Sequence, residues 1–461
     1  MRAHEAGALH GDLGTRGPAW LRAPQDVNAL VPQLWPRTVR RTPEGSLEVG
    51  GLDVTALAQE HGTPAYVLDE ADLRARCRDF QQAFADADVY YAGKSFLCKA
   101  VVRVVEEEGL FLDVCSGGEL AVALAAGFPA ERIGFHGNNK SVSELQRALD
   151  AGVGRIVLDS FHEIARLTEM SEESGKKPQV LIRVTVGVEA HTHEFIATAH
   201  EDQKFGFSLA GGAAFAAAAK VIDEGVLDLR GLHSHIGSQI FDTSGFEVAA
   251  RRILELQAQI RDARGVELPE LDLGGGFGIA YTTQDDPSTA GDLAKRINKI
   301  VESECDAASL RKPRLSIEPG RAIVGPAVFT LYEVGTIKDV DGIRTYVSVD
   351  GGMSDNIRTA LYDASYSATV ANRSSTAEPM LARVVGKHCE SGDIVVKDEF
   401  LPADVQPGDL VAVPGTGAYC RSMASNYNHV PRPPVVAVRD GAARVIVRRE
   451  TEDDLLALDV G

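Results

Sequence analysis

The sequence predicts an α/β fold in which a (β/α)8 TIM-type barrel is followed by a mostly β domain, itself a β-barrel or sandwich. Eight short β-rich runs alternate with helical stretches between residues 66 and 320, the strand count and length (about 255 residues) of such a barrel. After Arg321 the chain becomes rich in Val, Thr and Gly with frequent turn signals, which indicates β structure. A doubly wound open sheet remains the alternative, because hydrophobic periodicity does not distinguish an open sheet from a closed one.

The elements of the predicted barrel follow from short apolar runs and from the helical spacing between them. Strands are predicted near 88–93, 110–115, 132–136, 154–159, 179–187, 229–236, 270–274 and 314–318. Helices are predicted over 117–127, 141–151, 161–174, 209–225, 246–264 and 291–309. One helix start is marked by a capping box of Ser141 with Glu144, and Gly152 ends that helix.

The C-terminal region carries hairpin and turn signals. Asp440-Gly441 separates the apolar runs 435–438 and 444–447, which predicts a β-hairpin, and a Pro-Gly turn precedes the strand-like run 410–413. Four parts are predicted in chain order. A flexible arm comes first, and a strand segment that packs with the β domain follows it. The barrel and then the β domain complete the chain. Their ranges are 1–30, 31–66, 67–321 and 322–461.

Composition excludes several classes of partner and location. The 461 residues carry a net charge of −19, which argues against nucleic acid and anionic membrane surfaces as partners. The six cysteines are scattered, without the paired spacing of a zinc site or a disulfide framework, so we expect reduced thiols. No apolar run has the length of a membrane span, and the N-terminus lacks a signal-peptide core. We therefore expect a cytoplasmic protein.

Lys94 ends the apolar run Val89–Ala92 that forms the first predicted barrel strand. Burying an unpaired ammonium group is costly, and the cost disappears if the amine is covalently bound. Lysine amines form Schiff bases with carbonyl cofactors such as pyridoxal phosphate. The plain alternative is a partly exposed lysine at the end of a strand.

Other strand ends carry groups that suit a phosphorylated cofactor. Four glycines in 274–278 allow the backbone to approach an anion, although the spacing is not that of a dinucleotide fingerprint. Glu318 and Arg321 follow the eighth strand, where a carboxylate could keep a pyridine nitrogen protonated. A tight turn and a local ion pair are the alternative readings. His233 and His235 lie on one face of a strand, and either packing, cofactor stacking or metal binding would suit them.

Taken in order, the strings YAGKS, CSGGEL, HSHIGSQ, GGGFG, EPGR, CESGD and GTGAY resemble those of the fold-type III pyridoxal-phosphate-dependent decarboxylases. This family has an alanine-racemase-like barrel and includes diaminopimelate, ornithine and arginine decarboxylases. The strings run from residue 90 to 420, and three segments are most similar to the diaminopimelate-specific branch: 350–362, 389–393 and 417–419. The resemblance implies decarboxylation of meso-2,6-diaminopimelate to L-lysine, the last step of lysine biosynthesis by that pathway.

The resemblance also implies a role for each matching residue. Lys94 would bind pyridoxal phosphate through a Schiff base, and Cys389 would return a proton to the substrate. His235 would stack on the pyridine ring, and Glu318 would reach its nitrogen. The implied cofactor contacts are Lys94, His235, Ser238, Gly275, Gly276, Glu318, Pro319, Gly320, Arg321 and Tyr419. The implied substrate contacts are Arg321, Arg358, Tyr362, Glu390 and Tyr419. No metal is implied, and the family forms homodimers with active sites shared across the interface.

The chemistry of Arg358 and Glu390 favours one substrate over the alternatives. A second carboxylate on the substrate suits the planar fork of Arg358, and its ammonium group suits Glu390. Ornithine, arginine or a carboxylated polyamine would fit this pair less well, because ornithine, for one, has no distal carboxylate. A racemase on the same fold is disfavoured because the chain is long for one and carries the CESGD element. A catalytically silent relative is disfavoured because Lys94, Cys389 and the strings that suit a phosphate are all present.

Overall fold

The computed structural model describes residues 17–187 and 203–461. The strands in these residues are β1 Arg40–Arg41, β2 Leu47–Val49, β3 Leu52–Asp53, β4 Ala65–Asp69, β5 Asp88–Ala92, β6 Phe111–Val114, β7 Ile133–Phe135, β8 Arg155–Leu158, β9 Gln179–Thr185, β10 Phe207–Ser208, β11 Asp228–His233, β12 Glu270–Asp272, β13 Arg314–Ile317, β14 Val328–Val340, β15 Arg344–Val349, β16 Thr369–Val370, β17 Pro379–Val385, β18 Ile394–Pro402, β19 Leu410–Pro414, β20 Val435–Arg439 and β21 Ala442–Val447.

The α-helices are α1 Val54–His61, α2 Glu70–Ala83, α3 Lys99–Glu107, α4 Gly117–Ala125, α5 Val142–Ala151, α6 Phe161–Ser174, α7 Ala213–Glu224, α8 Ser244–Arg264, α9 Ala290–Ala308, α10 Arg321–Val324, α11 Arg358–Tyr362 and α12 Glu452–Leu456. None of the helices in the described parts of the chain is long and apolar enough to cross a membrane.

The predicted barrel is confirmed. Strands β5 to β9 and β11 to β13 pair in parallel, and β9 pairs with both β8 and β11, which closes the ring of eight strands. The short strand β10 adds to β9 outside this ring. The strands are mostly apolar because a parallel sheet is covered on both faces. As in other barrels of this type, we expect function at the carboxyl ends of the strands.

The predicted β domain is also confirmed. Its main sheet has the order β18-β17-β15-β14-β4-β20-β21, and β19 pairs with β14 and β16. Strands β20 and β21 form the predicted hairpin around Asp440-Gly441. The sheet packs on a core that includes the side chains of Leu47, Val49 and Phe329.

The chain folds as two compact units. One contains the N-terminal residues to Ala75, Ile279–Asp286 and Val324–Gly461; the other, the barrel unit, contains Arg76–Gly278 and Pro287–Ile323. We call the first the β unit. Strand β4 pairs with β14 and β20, so the last N-terminal strand of the β unit ends at Asp69. The predicted flexible arm falls largely on residues 1–16, which lie outside the described residues.

Candidate active site

Lys94 lies in a single 3-10 turn, Gly93–Ser95, that directly follows β5. Ser95 Oγ donates to the Ala92 carbonyl at 2.7 Å, and Tyr91 Oη donates to the Phe96 carbonyl at 2.7 Å, which shapes the turn. The Lys94 side chain is exposed, so the sequence argument from the cost of burying its ammonium group is wrong. Position at the end of the first barrel strand, not burial, is what distinguishes this lysine.

Glu318 lies between two histidines at the end of β13. Its Oε1 is 3.1 Å from Nε2 of both His136 and His233, and all three side chains are buried. Burial lowers the pKa of each imidazole below its usual value. Burial alone would raise the pKa of Glu318, but the two histidines and Lys94 hold it well below the usual range. Glu318 is therefore anionic.

Two more carboxyl groups are buried near Glu318 and behave differently. Burial, together with the charge of Glu318, raises the pKa of both Asp113 and Asp272 well above the usual range. Asp272 Oδ1 also accepts a hydrogen bond from Gly274 N at 2.7 Å. Neither aspartate was predicted as a site residue; their positions at the ends of β6 and β12 were the only signal. The site thus concentrates its negative charge on Glu318.

The glycine run after β12 leaves no room for side chains. A Cβ on Gly275 would lie 2.1 Å from the Glu318 carbonyl oxygen, and a Cβ on Gly276, whose φ is +100°, would lie 2.3 Å from the Gly237 carbonyl oxygen. The backbone segments that follow three different strands are therefore in direct contact here. His235, half-buried, accepts a hydrogen bond at Nδ1 from Gly275 N at 3.3 Å.

A guanidinium group joins the ends of two barrel strands. Arg321 is 9% exposed, and its Nη2 donates to Ser238 Oγ at 2.8 Å. The Pro319 carbonyl accepts from Ala92 N at 3.4 Å, and a Cβ on Gly320 would lie 2.8 Å from that of Ala92. The predicted residues of the Glu318–Arg321 turn therefore lie against the strand that ends before Lys94.

In the β unit, the short helix α11 carries Arg358 and Tyr362 in different environments. Tyr362 is 60% exposed, whereas Arg358 is buried at 6% exposed. Arg358 Nη1 donates to Tyr366 Oη at 2.5 Å, and its guanidinium carbon lies 4.9 Å from the centroid of the Tyr281 ring. Among residues 17–187 and 203–461, no carboxylate forms an ion pair with Arg358. Its charge is therefore not balanced by an acidic side chain of this unit.

Cys389 and Glu390 lie in the loop between β17 and β18. The Cys389 side chain is exposed, and its backbone N donates to Asn428 Oδ1 at 3.0 Å. Asp393, the last residue of the CESGD string and one without an implied role, fixes this loop. Its two carboxylate oxygens accept from Met353 N at 2.6 Å and His388 N at 2.7 Å. Tyr419, also in the β unit, has a left-handed backbone with a φ of +68°.

The barrel site has the groups that pyridoxal phosphate needs. A lone buried carboxylate can hold a proton on a ring nitrogen, and a neutral imidazole can lie flat against a ring. A glycine loop beside an arginine and a serine can receive a phosphate group. The histidine pair does not face a common partner, since His233 faces Glu318 and His235 faces Gly275.

Comparison with known proteins agrees with this geometry. The family model of the pyridoxal-dependent decarboxylases, pyridoxal binding domain, matches residues 70–325. The diaminopimelate decarboxylase of Mycobacterium tuberculosis strain H37Rv is 58% identical over 443 residues, which are 94% of this chain and 98% of that protein. The Bacillus subtilis enzyme is 50% identical over 427 residues, 92% of this chain and 97% of that protein.

Solved structures agree as well. The diaminopimelate decarboxylase of M. jannaschii, solved in complex with L-lysine, superposes with a TM-score of 0.87 at 31% identity and covers 92% of this chain and 98% of its own. The resemblance seen in the sequence motifs is thereby confirmed. The chain belongs to the diaminopimelate decarboxylase family of pyridoxal-dependent decarboxylases.

Proposed function

We infer that this protein decarboxylates meso-2,6-diaminopimelate to L-lysine and CO2 with pyridoxal phosphate as cofactor, the last step of lysine biosynthesis by the diaminopimelate pathway. Relatives at 50–58% identity over more than nine tenths of the chain carry this activity in their names. The structural observation that best supports it is Arg358, a buried guanidinium without an acidic partner in its own unit. Such a group favours a substrate that brings a carboxylate.

The barrel residues would hold the cofactor. Pyridoxal phosphate, when bound, withdraws electrons from the substrate α-carbon so that CO2 can leave. We propose that the Lys94 amine binds it covalently and that the neutral His235 ring lies against its ring. The Glu318 carboxylate would keep a proton on the ring nitrogen. Phosphate contacts would come from the barrel residues Ser238, Gly275, Gly276, Pro319, Gly320 and Arg321, together with Tyr419 of the β unit.

Residues of the β unit would hold the substrate and complete the reaction. The Arg358 fork would bind the carboxylate that remains in lysine, and Glu390 would bind the neighbouring ammonium group. Tyr362 and Tyr419 would provide further substrate contacts, and so would Arg321 of the barrel unit. We propose that the exposed Cys389 thiol returns a proton to the α-carbon, since cysteine is among the side chains that act as general acids in enzymes.

We further propose that the protein acts as a homodimer in the cytoplasm and that Cys389 of one copy serves the barrel site of the other. The motif resemblance supports the shared site. Six free cysteines without a disulfide among them are compatible with a reducing compartment.

A substrate assay tests the proposed reaction. CO2 release should be rapid from meso-diaminopimelate and at least about 100-fold slower from ornithine and arginine, because neither offers the second carboxylate. Equal turnover of the three would contradict the role given to Arg358. It would favour the alternative, a decarboxylase of other basic amino acids.

The cofactor role is tested with Lys94→Ala. The wild-type protein with added pyridoxal phosphate should show a visible absorbance band that borohydride removes, and the variant should lack both the band and activity. The matched control is Lys99→Ala, at the start of α3, which should keep both. A colourless wild type would refute the assignment of Lys94.

A further inference from the structure

Within the β unit, a hydrogen-bonded row of buried side chains begins at Arg358. Arg358 Nη1 donates to Tyr366 Oη, the Tyr366 Oη lies 3.6 Å from Cys420 Sγ, and Cys420 Sγ lies 3.5 Å from Asn356 Oδ1. Tyr366, Cys420 and Asn356 are each at most 2% exposed. Neither Tyr366 nor Cys420 belongs to any role assigned so far.

The chemistry of these groups decides which group donates and which accepts in each hydrogen bond of this row. A guanidinium can only donate, so the Tyr366 oxygen accepts from Arg358 and its own proton must go elsewhere. Cys420 Sγ is the acceptor in reach, and the thiol proton then points to Asn356 Oδ1, which can only accept. The same Oδ1 accepts from the backbone N of Arg358 at 3.3 Å, which closes the loop on the residue where it began.

In this arrangement the Tyr366 hydroxyl that faces Arg358 must be neutral. Burial and the neighbouring thiol raise the pKa of Tyr366 well above its usual value, so its hydroxyl keeps its proton. The Arg358 guanidinium carbon also lies 4.9 Å and 5.7 Å from the ring centroids of Tyr281 and Tyr366. These two rings meet edge to face with their centroids 5.1 Å apart. The guanidinium is thus held by aromatic faces and one oxygen.

Neutral support has a functional consequence. Tyr366 uses one of the five N–H groups of Arg358 and adds no negative charge. An acidic residue in its place would orient the guanidinium equally well but would compete with a ligand carboxylate. The Tyr366 hydroxyl orients the Arg358 guanidinium without neutralising it, so its positive charge remains available to a ligand carboxylate.

We propose that Tyr366, and through it Cys420 and Asn356, are positioning residues that aim the Arg358 fork at the carboxylate retained in L-lysine. This rests on the proposed function, in which Arg358 binds that carboxylate. Tyr366 and Cys420 therefore favour ligands that carry this carboxylate over those that lack it, without touching the reacting atoms.

A comparison of two ligands measures how much one carboxylate contributes to binding. L-lysine carries it, and cadaverine is the same molecule without it. Calorimetric titration of the full-length holoenzyme should show L-lysine binding about tenfold more weakly to Tyr366→Phe, the size of one hydrogen bond to a charged group. Cadaverine affinity should stay within about twofold of wild type. Tyr346→Phe, the same change on β15, is the matched control and should leave both affinities unchanged.

Substitutions at Cys420 provide an independent test. Cys420→Ala should weaken L-lysine binding and spare cadaverine, and Cys420→Ser, which can both donate and accept, should restore it. If Tyr366→Phe fails to fold, this pair carries the test. A loss shared equally by both ligands, or no loss in either variant, would overturn the proposal.

Arg358→Met separates this proposal from the function on which it rests. If this variant keeps the wild-type preference for L-lysine over cadaverine, the proposed role of Arg358 fails. If it loses the preference while Tyr366→Phe and Cys420→Ala keep it, only the positioning role is refuted.

Discussion

At the scale of single residues, the barrel site depends on which groups are charged. The hydrogen bond from Gly275 N to His235 Nδ1 requires a lone pair on that nitrogen, so the imidazole must be neutral. Burial, and then the nearby charge of Lys94, lowers the pKa of His235 to about 3. A neutral ring suits the stacking role proposed for it, because it adds no second positive charge beside the amine of Lys94.

The low pKa of His235 predicts a pH dependence of stability. Between its unfolded value of 6.5 and about 3, the unfolded chain binds a proton at this residue that the folded chain does not. Stability therefore falls as the pH drops through this window, by up to about 1.4 kcal/mol per pH unit. In urea unfolding of the cofactor-free protein from pH 7 to pH 4, His235→Gln should show a shallower loss than wild type. The exposed His162→Gln is the control, and parallel curves for His235→Gln and wild type would contradict the prediction.

The sequence drew attention to particular residues at the strand ends but not to the environment of their side chains. Strand ends identified Lys94, His235 and Glu318, yet the exposure of Lys94 depends on how the chain turns after Ala92. The pairing of Tyr366 with Cys420 had no sequence signal, because the two lie 54 positions apart and neither occurs in a periodic pattern that would place them together.

At the scale of elements, local signals located most of the barrel strands and helices to within a few residues. The helix α3 was not among the predicted helices. Its sequence KAVVRVVEE is rich in valine, which has a low helix propensity, so local preference argues against a helix there. Tertiary packing stabilises this helix instead, because four of its valines are buried: Val101, Val102, Val104 and Val105.

The helix α5 offers a test of an element that the sequence did predict. The capping box is present: Ser141 Oγ accepts from Glu144 N, and Glu144 accepts from Ser141 N at 2.8 Å. Glu144 Oε1 also accepts from Gly117 N, at the start of α4, at 2.6 Å. These backbone donors lower the pKa of Glu144.

Ser141→Ala should therefore destabilise the barrel by about 1 kcal/mol, the usual value of a helix cap. Glu144→Ala should cost more, because it removes acceptors from two helix starts. Chemical unfolding of the variants measures both, with Ser141→Asp as the control that keeps a capping oxygen. An equal cost for Ser141→Ala and Glu144→Ala would show that the contact with Gly117 contributes nothing.

At the scale of the whole molecule, the barrel explains why residues far apart in sequence form one site. Closure brings β13 next to β5, so the turn after Ile317 meets the turn after Ala92. Eight alternating units predicted this outcome, but the choice between an open and a closed sheet depends on strand pairings between distant segments. Those pairings are non-local contacts that no local pattern encodes.

The largest-scale proposal, that two copies share their active sites, predicts complementation between inactive variants. Lys94→Ala and Cys389→Ala should each be inactive or nearly so alone. If Cys389 of one copy serves the barrel of the other, a hybrid dimer contains one site with both changes and one intact site. Mixing equal amounts under conditions that exchange subunits should then restore about a quarter of wild-type activity, since half the dimers are hybrids with one working site.

The control mixture is Lys94→Ala with Glu318→Ala. Both changes fall in the barrel unit, so in their hybrid each barrel carries one change and neither site is intact, whichever copy supplies Cys389. No activity should return in this mixture. If the Lys94→Ala and Cys389→Ala mixture also stays inactive while mass spectrometry shows that hybrid dimers have formed, Cys389 must serve the barrel of its own chain. The dimer would then have to be explained by something other than a shared site.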